Sequence, residues 1–410
     1  MNGQQAFETQ LEIIDQLPDY TKLKIFTPSA QIRMKLEESL HEDTLSRVTF
    51  FDASNAPDFT VWAQDFTEGD SSVQILPLTY LGGGQRKSLN EPGNEFLFQL
   101  ESSGIEIRRV PVEFGGGNVF IAKDSEGKKI LLTGSDDFLH TTKSYGDAGL
   151  SLSEQSYREI LQEAFNVDRV DIMGTKSPSG DWEPQHRSTF HIDQIMIPLG
   201  DGVVAMPNMP AVSPSMLSSE VEEQKRLELK SLAEQYGISS YSPSSFGNPS
   251  IRPEAEGLSQ ETLNQLISEE NRIREKFLGM EKQIVDHKAY SEVALQVNQL
   301  RTQMESKGFS IIDLEATPTN IGNFQSYTNS IVYTDKTTGQ KTVIMPIFPN
   351  EKGEYLLEGT NLANKKSFED AGFVVKTVKD ISYKQGGNIH CLTILADNSQ
   401  YCPECDLSLA

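Results

Sequence analysis

The sequence predicts a mixed α/β protein of repeated strand, helix, strand units, interrupted by one long helical segment. Three observations predict this. Short apolar runs alternate with turn signals and candidate helices over residues 1–212, the same pattern returns over residues 308–410, and residues 213–307 between them turn to Glu, Gln, Lys, Leu and Ser with few strand signals. At 410 residues the chain can bury one large core with an excursion, or two ordinary cores.

In the first part, strands are expected at Leu23 to Phe26, Arg47 to Phe51, Val73 to Leu76, Ile105 to Val110, Val119 to Ala122 and Lys129 to Leu132, each a short apolar or β-branched run bounded by polar turns. Helices are expected at Pro28 to Leu40, Asn94 to Ser103 and Ser153 to Phe165, where apolar residues recur at three- and four-residue spacing. Thr27 is placed to cap the first of these, with Pro28 at the first helical position. Phe190 to Ile197 is a candidate strand, in which the i, i+2 spacing would put His191 and Asp193 on one face. In the second part, strands at Ser330 to Tyr333 and Thr342 to Met345 flank a Thr-Thr-Gly turn, a helix runs from Leu362 to Ala371, and Phe373 to Val375 follows as a strand.

Between the two parts, Ile273, Phe277, Met280 and Ile284, then Tyr290, Val293, Val297, Leu300 and Met304, form one apolar seam at helical spacing. A helix from about Leu217 to Tyr236 can cover it through a Ser-, Pro- and Gly-rich loop at 239–253, giving an antiparallel hairpin. Such a hairpin either buries its own seam as a decoration or presents a docking surface to a protein partner.

With 36 Lys and Arg against 59 Asp and Glu, the formal charge is -23. That balance sets the surface against nucleic acid and anionic membranes, and it either steers cationic ligands or only keeps the surface soluble. Cys391, Cys402 and Cys405 all lie near the C-terminal end, so they cannot staple the fold, and a reducing compartment fits them. Cys402 and Cys405 form a CxxC with no second pair to complete a zinc set, so no metal and no cofactor is expected. The first residues lack a basic stretch followed by an apolar one, and no run reaches membrane-spanning length. A cytoplasmic location is expected, with export without a cleaved signal left open.

Chemistry concentrates in four motifs. His390-Cys391-Leu392 follows Gly386-Gly387-Asn388, and a cysteine on a glycine-rich turn beside a histidine can be kept partly as the attacking thiolate. Upstream stand Trp62-Ala63-Gln64-Asp65, then Phe114-Gly115-Gly116-Gly117-Asn118, then His191-Ile192-Asp193. In this order the set resembles the guanidino-group-modifying enzymes: the agmatine, arginine and protein-arginine deiminases and the amidinotransferases. Trp-x-Gln-Asp and the Phe, Gly-rich, Asn pattern are closer to protein-arginine deiminases, and Gly-Gly-Asn-Ile-His-Cys-x-Thr is closer to agmatine deiminases.

The resemblance implies a pentein fold, an α/β propeller of five modules with the site on its axis. Residues 1–212 would be its first part, 213–307 a helical insertion near the site, and 308–410 the closing part with the cysteine. It implies Cys391 as nucleophile, His191 as general acid and base, and Asp65 and Asp193 as carboxylates that clamp a guanidinium fork. Trp62, Gln64, Glu113, Asn118 and Asn329 are candidates for substrate binding. Glu113 is offset by Phe114 from the Glu-Gly-Gly of the small-molecule deiminases, and Phe190 stands where deiminases commonly carry Gly. If its segment is extended, His390 should face away from Cys391.

The expected activity is hydrolysis of a guanidino group, in agmatine, arginine or a protein arginine, with release of ammonia. Amidino transfer to an amine is the enzymatic alternative. A non-catalytic binding protein is the other, since the same fold serves in a ribosome-binding factor; the presence of Cys391, His191, Asp65 and Asp193 weighs against it. No calcium loop of the kind expected for animal protein-arginine deiminases is present in the sequence.

Overall fold

One chain connection recurs four times in this protein: an antiparallel strand pair, then a crossover, then a third strand parallel to the second. The computed structural model describes residues 3–27, 29–52, 68–69, 73–82, 85–88, 101–102, 104–185, 191–210, 218–238, 259–317, 325–335, 337–350, 352–385 and 387–393.

Helix α1 (Gly3–Gln16) precedes β1 (Leu23–Thr27), which pairs in parallel with β2 (Val48–Asp52) across helices α2 (Ala30–Ser39) and α3 (Glu42–Leu45). The start of α2 corrects the sequence reading. Its cap is Ser29, whose Oγ accepts from the N–H of Ile32, whereas Thr27 ends β1 and donates its hydroxyl to Phe51 O at 3.2 Å. Strand pairing across the β1–β2 crossover takes Thr27 before the helix can use it. Pro28 lies outside the described residues, as does the expected helix from Asn94 apart from its end at 101–102.

The first three-stranded sheet joins β3 (Glu68–Gly69), β4 (Val73–Leu76) and, beyond the hairpin β5 (Thr79–Gly82) and β6 (Gln85–Ser88), β7 (Glu106–Arg109). The second joins β8 (Val119–Lys123), β9 (Lys129–Gly134) and β10 (Arg169–Met173), with α4 (Ser135–Asp147) and α5 (Glu154–Phe165) in the crossover. Helix α5 starts where Ser153 Oγ accepts from Ser156 N, and it stops at Asn166 in the left-handed region, φ 49°. Its apolar stripe of Tyr157, Leu161 and Phe165 meets Val119, Leu131 and Ile172 of the sheet.

The third sheet holds β11 (Ile197–Gly200), β12 (Val203–Asn208) and β13 (Ser310–Glu315), and its crossover contains α6 (Ser218–Gln235) and the 47-residue α7 (Gln260–Ser306). The fourth holds β14 (Ile331–Thr334), β15 (Lys341–Ile347) and β16 (Val374–Lys379) around α8 (Gly359–Asp370). Asn364 of α8 grips the end of β13 with both halves of its amide, accepting from Glu315 N at 2.6 Å and donating to Glu315 O at 2.9 Å.

The chain separates into two units. One comprises 1–209, 293–316 and 323–410, and the other 210–292 with 317–322. The second unit has its own core, in which Val221, Leu229 and Leu232 of α6 pack with Leu266, Ile273 and Phe277 of α7. In the first unit, the last turns of α7 bury Val293, Val297, Leu300 and Met304, and Gln303 donates to Gly174 O at 2.6 Å. No helix among the described residues is long and apolar enough to cross a membrane.

Candidate active site

Three short irregular segments build the site, and each is held by hydrogen bonds from elsewhere in the chain. The first is Glu113 to Asn118, ending in a 3-10 turn at Gly116–Asn118 just before β8. Phe114 anchors it: the ring is 2% exposed and lies 5.7 Å from that of Phe165. The buried carboxylate of Glu113 accepts from Ser144 Oγ. The offset of Glu113 by one residue therefore has a packing cause, since Phe114 enters the core. The glycines that follow leave room for side chains. A Cβ on Gly115 would stand 3.0 Å from His191 Nε2, and one on Gly117 would stand 2.6 Å from His191 Nδ1 and 3.0 Å from Asp193 Oδ2.

The second segment corrects the sequence reading. His191 caps a 3-10 turn over Ile192–Gln194, and β11 begins only at Ile197, so residues 191–197 are not one strand. Two distant groups impose the turn: Asn118 Oδ1 accepts from Ile192 N at 3.0 Å, and Thr328 Oγ1 donates to Asp193 O at 2.9 Å. His191 and Asp193 nonetheless share a side, both lying against Gly117. Burial pushes the His191 imidazole below its ordinary pKa, against the Asp193 carboxylate, which raises it.

The third segment carries Cys391. Residues 389–392 form a turn rather than an extended strand, so His390 and Cys391 are not sent to opposite sides. Both side chains reach one oxygen: His390 Nδ1 is 3.2 Å and Cys391 Sγ 3.4 Å from Asp193 Oδ2. The His390 ring also stacks on Phe120, centroids 5.5 Å apart. His390 belongs to the site, and the sequence reading set it aside because it assumed an extended backbone.

Asn329 joins the segments. Its Oδ1 accepts from the backbone N–H of His390 at 2.9 Å and of Cys391 at 3.3 Å, and its Nδ2 donates to Cys391 Sγ at 3.2 Å. Gln194, absent from the sequence candidates, places Nε2 3.8 Å from the same sulfur. Nothing in its sequence context marks it beyond adjacency to Asp193. Asn388, within the glycine-rich motif, donates to Asp380 Oδ2 at 2.9 Å and accepts from Ser326 N at 3.3 Å.

The structure thus brings Cys391, Asp193, His390, Asn329 and Gln194 together and sets His191 beside Asp193, with Asn118 bracing the turn. Trp62, Gln64, Asp65 and Phe190, with Cys402 and Cys405, lie outside the described residues. Among the described residues no cluster of three or more His, Cys, Asp or Glu is disposed to hold a metal ion.

No protein-family model and no curated protein matches the chain. Solved structures do. A cysteine-to-serine variant of the C. jejuni agmatine deiminase with substrate bound aligns with TM-score 0.50 and 13% identity, over 96% of this chain and 88% of that one. A structural-genomics target assigned as an agmatine deiminase aligns with TM-score 0.53 and 13% identity, over 95% of this chain and 87% of that one. The chain has the agmatine deiminase fold. At 13% identity the fold is what the two chains share. The agmatine deiminase fold accounts for the mixed α/β architecture of small three-stranded sheets.

Proposed function

We propose that this chain is a cysteine-dependent hydrolase that removes ammonia from a guanidino group. The observation that carries the reading is the approach of Cys391 Sγ to 3.4 Å from Asp193 Oδ2, on turns that also hold His191 and His390. A carboxylate paired with the N–H fork of a guanidinium sets the central carbon of the fork beside whatever adjoins the carboxylate, and here that atom is a nucleophilic sulfur. The shared fold with agmatine deiminases supports the same reading.

In this mechanism the thiol proton passes to His191, which burial keeps neutral at the start. The thiolate adds to the guanidinium carbon, and the tetrahedral adduct breaks a C–N bond as His191 protonates the departing nitrogen, which leaves as ammonia. Water, deprotonated by His191, adds to the remaining amidino-thioether. Cleavage of the C–S bond then releases a ureido product and restores the thiol. Asp65 is the proposed second carboxylate on the guanidinium, and Trp62 and Gln64 are the proposed contacts to the rest of the substrate. The four sheets of like connection, with the parallel pair β1–β2, support an arrangement of five units around a common axis.

Ammonia release from agmatine, arginine and a peptidyl-arginine, each with and without glycine, tests the reading. Release from one of them that is independent of glycine is expected, and Cys391→Ala should reduce it at least 1,000-fold. A haloacetamidine should label Cys391 in preference to Cys402 and Cys405. Turnover only with an acceptor amine would make the chain an amidinotransferase. No turnover together with no selective labelling would leave it a binding protein.

A further inference from the structure

We infer that Gln194 and Asn329 form a two-donor amide seat that stabilises the thiolate of Cys391. The two carboxamides come from different segments, one in the turn after His191 and one just before β14, and both are buried, 4% and 0% exposed. Asn329 Nδ2 lies 3.2 Å and Gln194 Nε2 3.8 Å from Sγ.

The orientation of the Asn329 amide is set by its other half. Oδ1 accepts two backbone N–H groups, from His390 and Cys391, so the oxygen must face the loop and the NH2 must face the sulfur. An amide N–H can only donate. Toward a neutral thiol such a bond is weak, and toward a thiolate it is charge-assisted, so two of them favour ionisation.

Asp193 works in the opposite sense. Its Oδ2 is 3.4 Å from the sulfur, and a carboxylate at that distance disfavours a second negative charge. Among the described residues, His390, 3.2 Å from the same oxygen, and His191, packed with Asp193 against Gly117, also face this point. The sulfur therefore stands between donors that favour the thiolate and a carboxylate that opposes it until a cation occupies the carboxylate. The catalytic consequence rests on the hydrolase reading above. The seat itself rests on the geometry.

Alkylation without substrate separates the two. Iodoacetamide modification of the Cys391 peptide is followed by mass spectrometry as a function of pH in the full chain, for wild type, Gln194→Met, Gln194→Glu and Asn329→Asp. Gln194→Met keeps the size and loses the donor, so its rate at pH 7 should fall about tenfold. Gln194→Glu and Asn329→Asp add a negative charge and should fall further, with the midpoint of the alkylation profile moved to higher pH. Thermal unfolding of each variant shows whether it is folded, and Gln194→Met is decisive if Asn329→Asp unsettles its loop. Profiles that coincide with wild type in both Gln194 variants would overturn the seat, whatever the enzymatic activity. Shifted profiles with no ammonia released from any guanidine would keep the seat and remove the hydrolase reading.

Discussion

Asp380 is a buried carboxylate at the foot of the loop that carries Cys391. Its oxygens accept from Ser382 N at 2.8 Å and Asn388 Nδ2 at 2.9 Å, and burial pushes its carboxyl up to about 6 against these bonds. Between the ordinary value of 3.8 and about 6, the folded chain holds a proton that the unfolded chain has lost. The contribution of Asp380 to stability therefore falls as pH rises through that window, by about 3 kcal/mol at most for a shift of about two units. Asp380→Asn removes the ionisation, so the Tm of the variant minus that of wild type should increase from pH 4 to pH 7. A difference that stays flat across that range would show that burial is not what controls this carboxyl. Gly117 is limited by space instead. An added methyl would stand 2.6 Å from His191 Nδ1 and 3.0 Å from Asp193 Oδ2. Gly117→Ala should then lower kcat/KM by about 100-fold or more while moving the Tm by only a few degrees. Wild-type turnover in this variant would place the reacting groups elsewhere.

At the scale of elements, what was legible in the sequence is what local periodicity controls. Strands at Val73, Val119, Lys129, Ile331 and Lys341 start within a residue of the apolar runs that predict them, and α5 begins after the serine that caps it. The elements misread are those governed by partners far away in the sequence. His191 to Ile197 reads as a candidate strand, yet Asn118 and Thr328 capture its backbone from 74 and 135 residues away and bend its start into a 3-10 turn. The same kind of capture, by Asn329, shapes the turn at His390 and Cys391 from about 60 residues away. The motif residues of the site could be picked out because cysteine, histidine and aspartate are chemically distinctive. Gln194 and the hub role of Asn329 could not, because a carboxamide shows its purpose only through what it touches. The cap of α5 gives a local control: Ser153→Ala should cost about 1 kcal/mol in denaturant unfolding without changing turnover.

At the scale of the whole molecule, the boundary between the two units falls inside α7, at Glu292 and Val293. Replacing 213–292 with a Gly-Ser linker should leave the first unit folded, since Val293, Val297, Leu300 and Met304 remain to be buried. Extending the replacement to 307 removes those side chains and the Lys307 to Asp171 ion pair at 2.9 Å, a loss of about 2 kcal/mol for each large apolar residue. Thermal unfolding of the two deletions should differ sharply, and equal Tm values would contradict the division inside the helix. Helix α1 raises a different issue. Ile13 packs with Ile389 and Leu392, the neighbours of the His-Cys pair, and Glu12 accepts from Lys379 N at 2.8 Å along the outer edge of β16. Thr9 and Lys379, hydrogen-bonded at 3.4 Å, are 370 residues apart. On a ribosome adding about 5–20 residues per second, α1 emerges with its apolar stripe uncovered for roughly 20–70 s before its partner strand exists. During synthesis, then, α1 waits for β16, and its apolar stripe stays open to aggregation until the strand that leads into the Cys391 loop has been made.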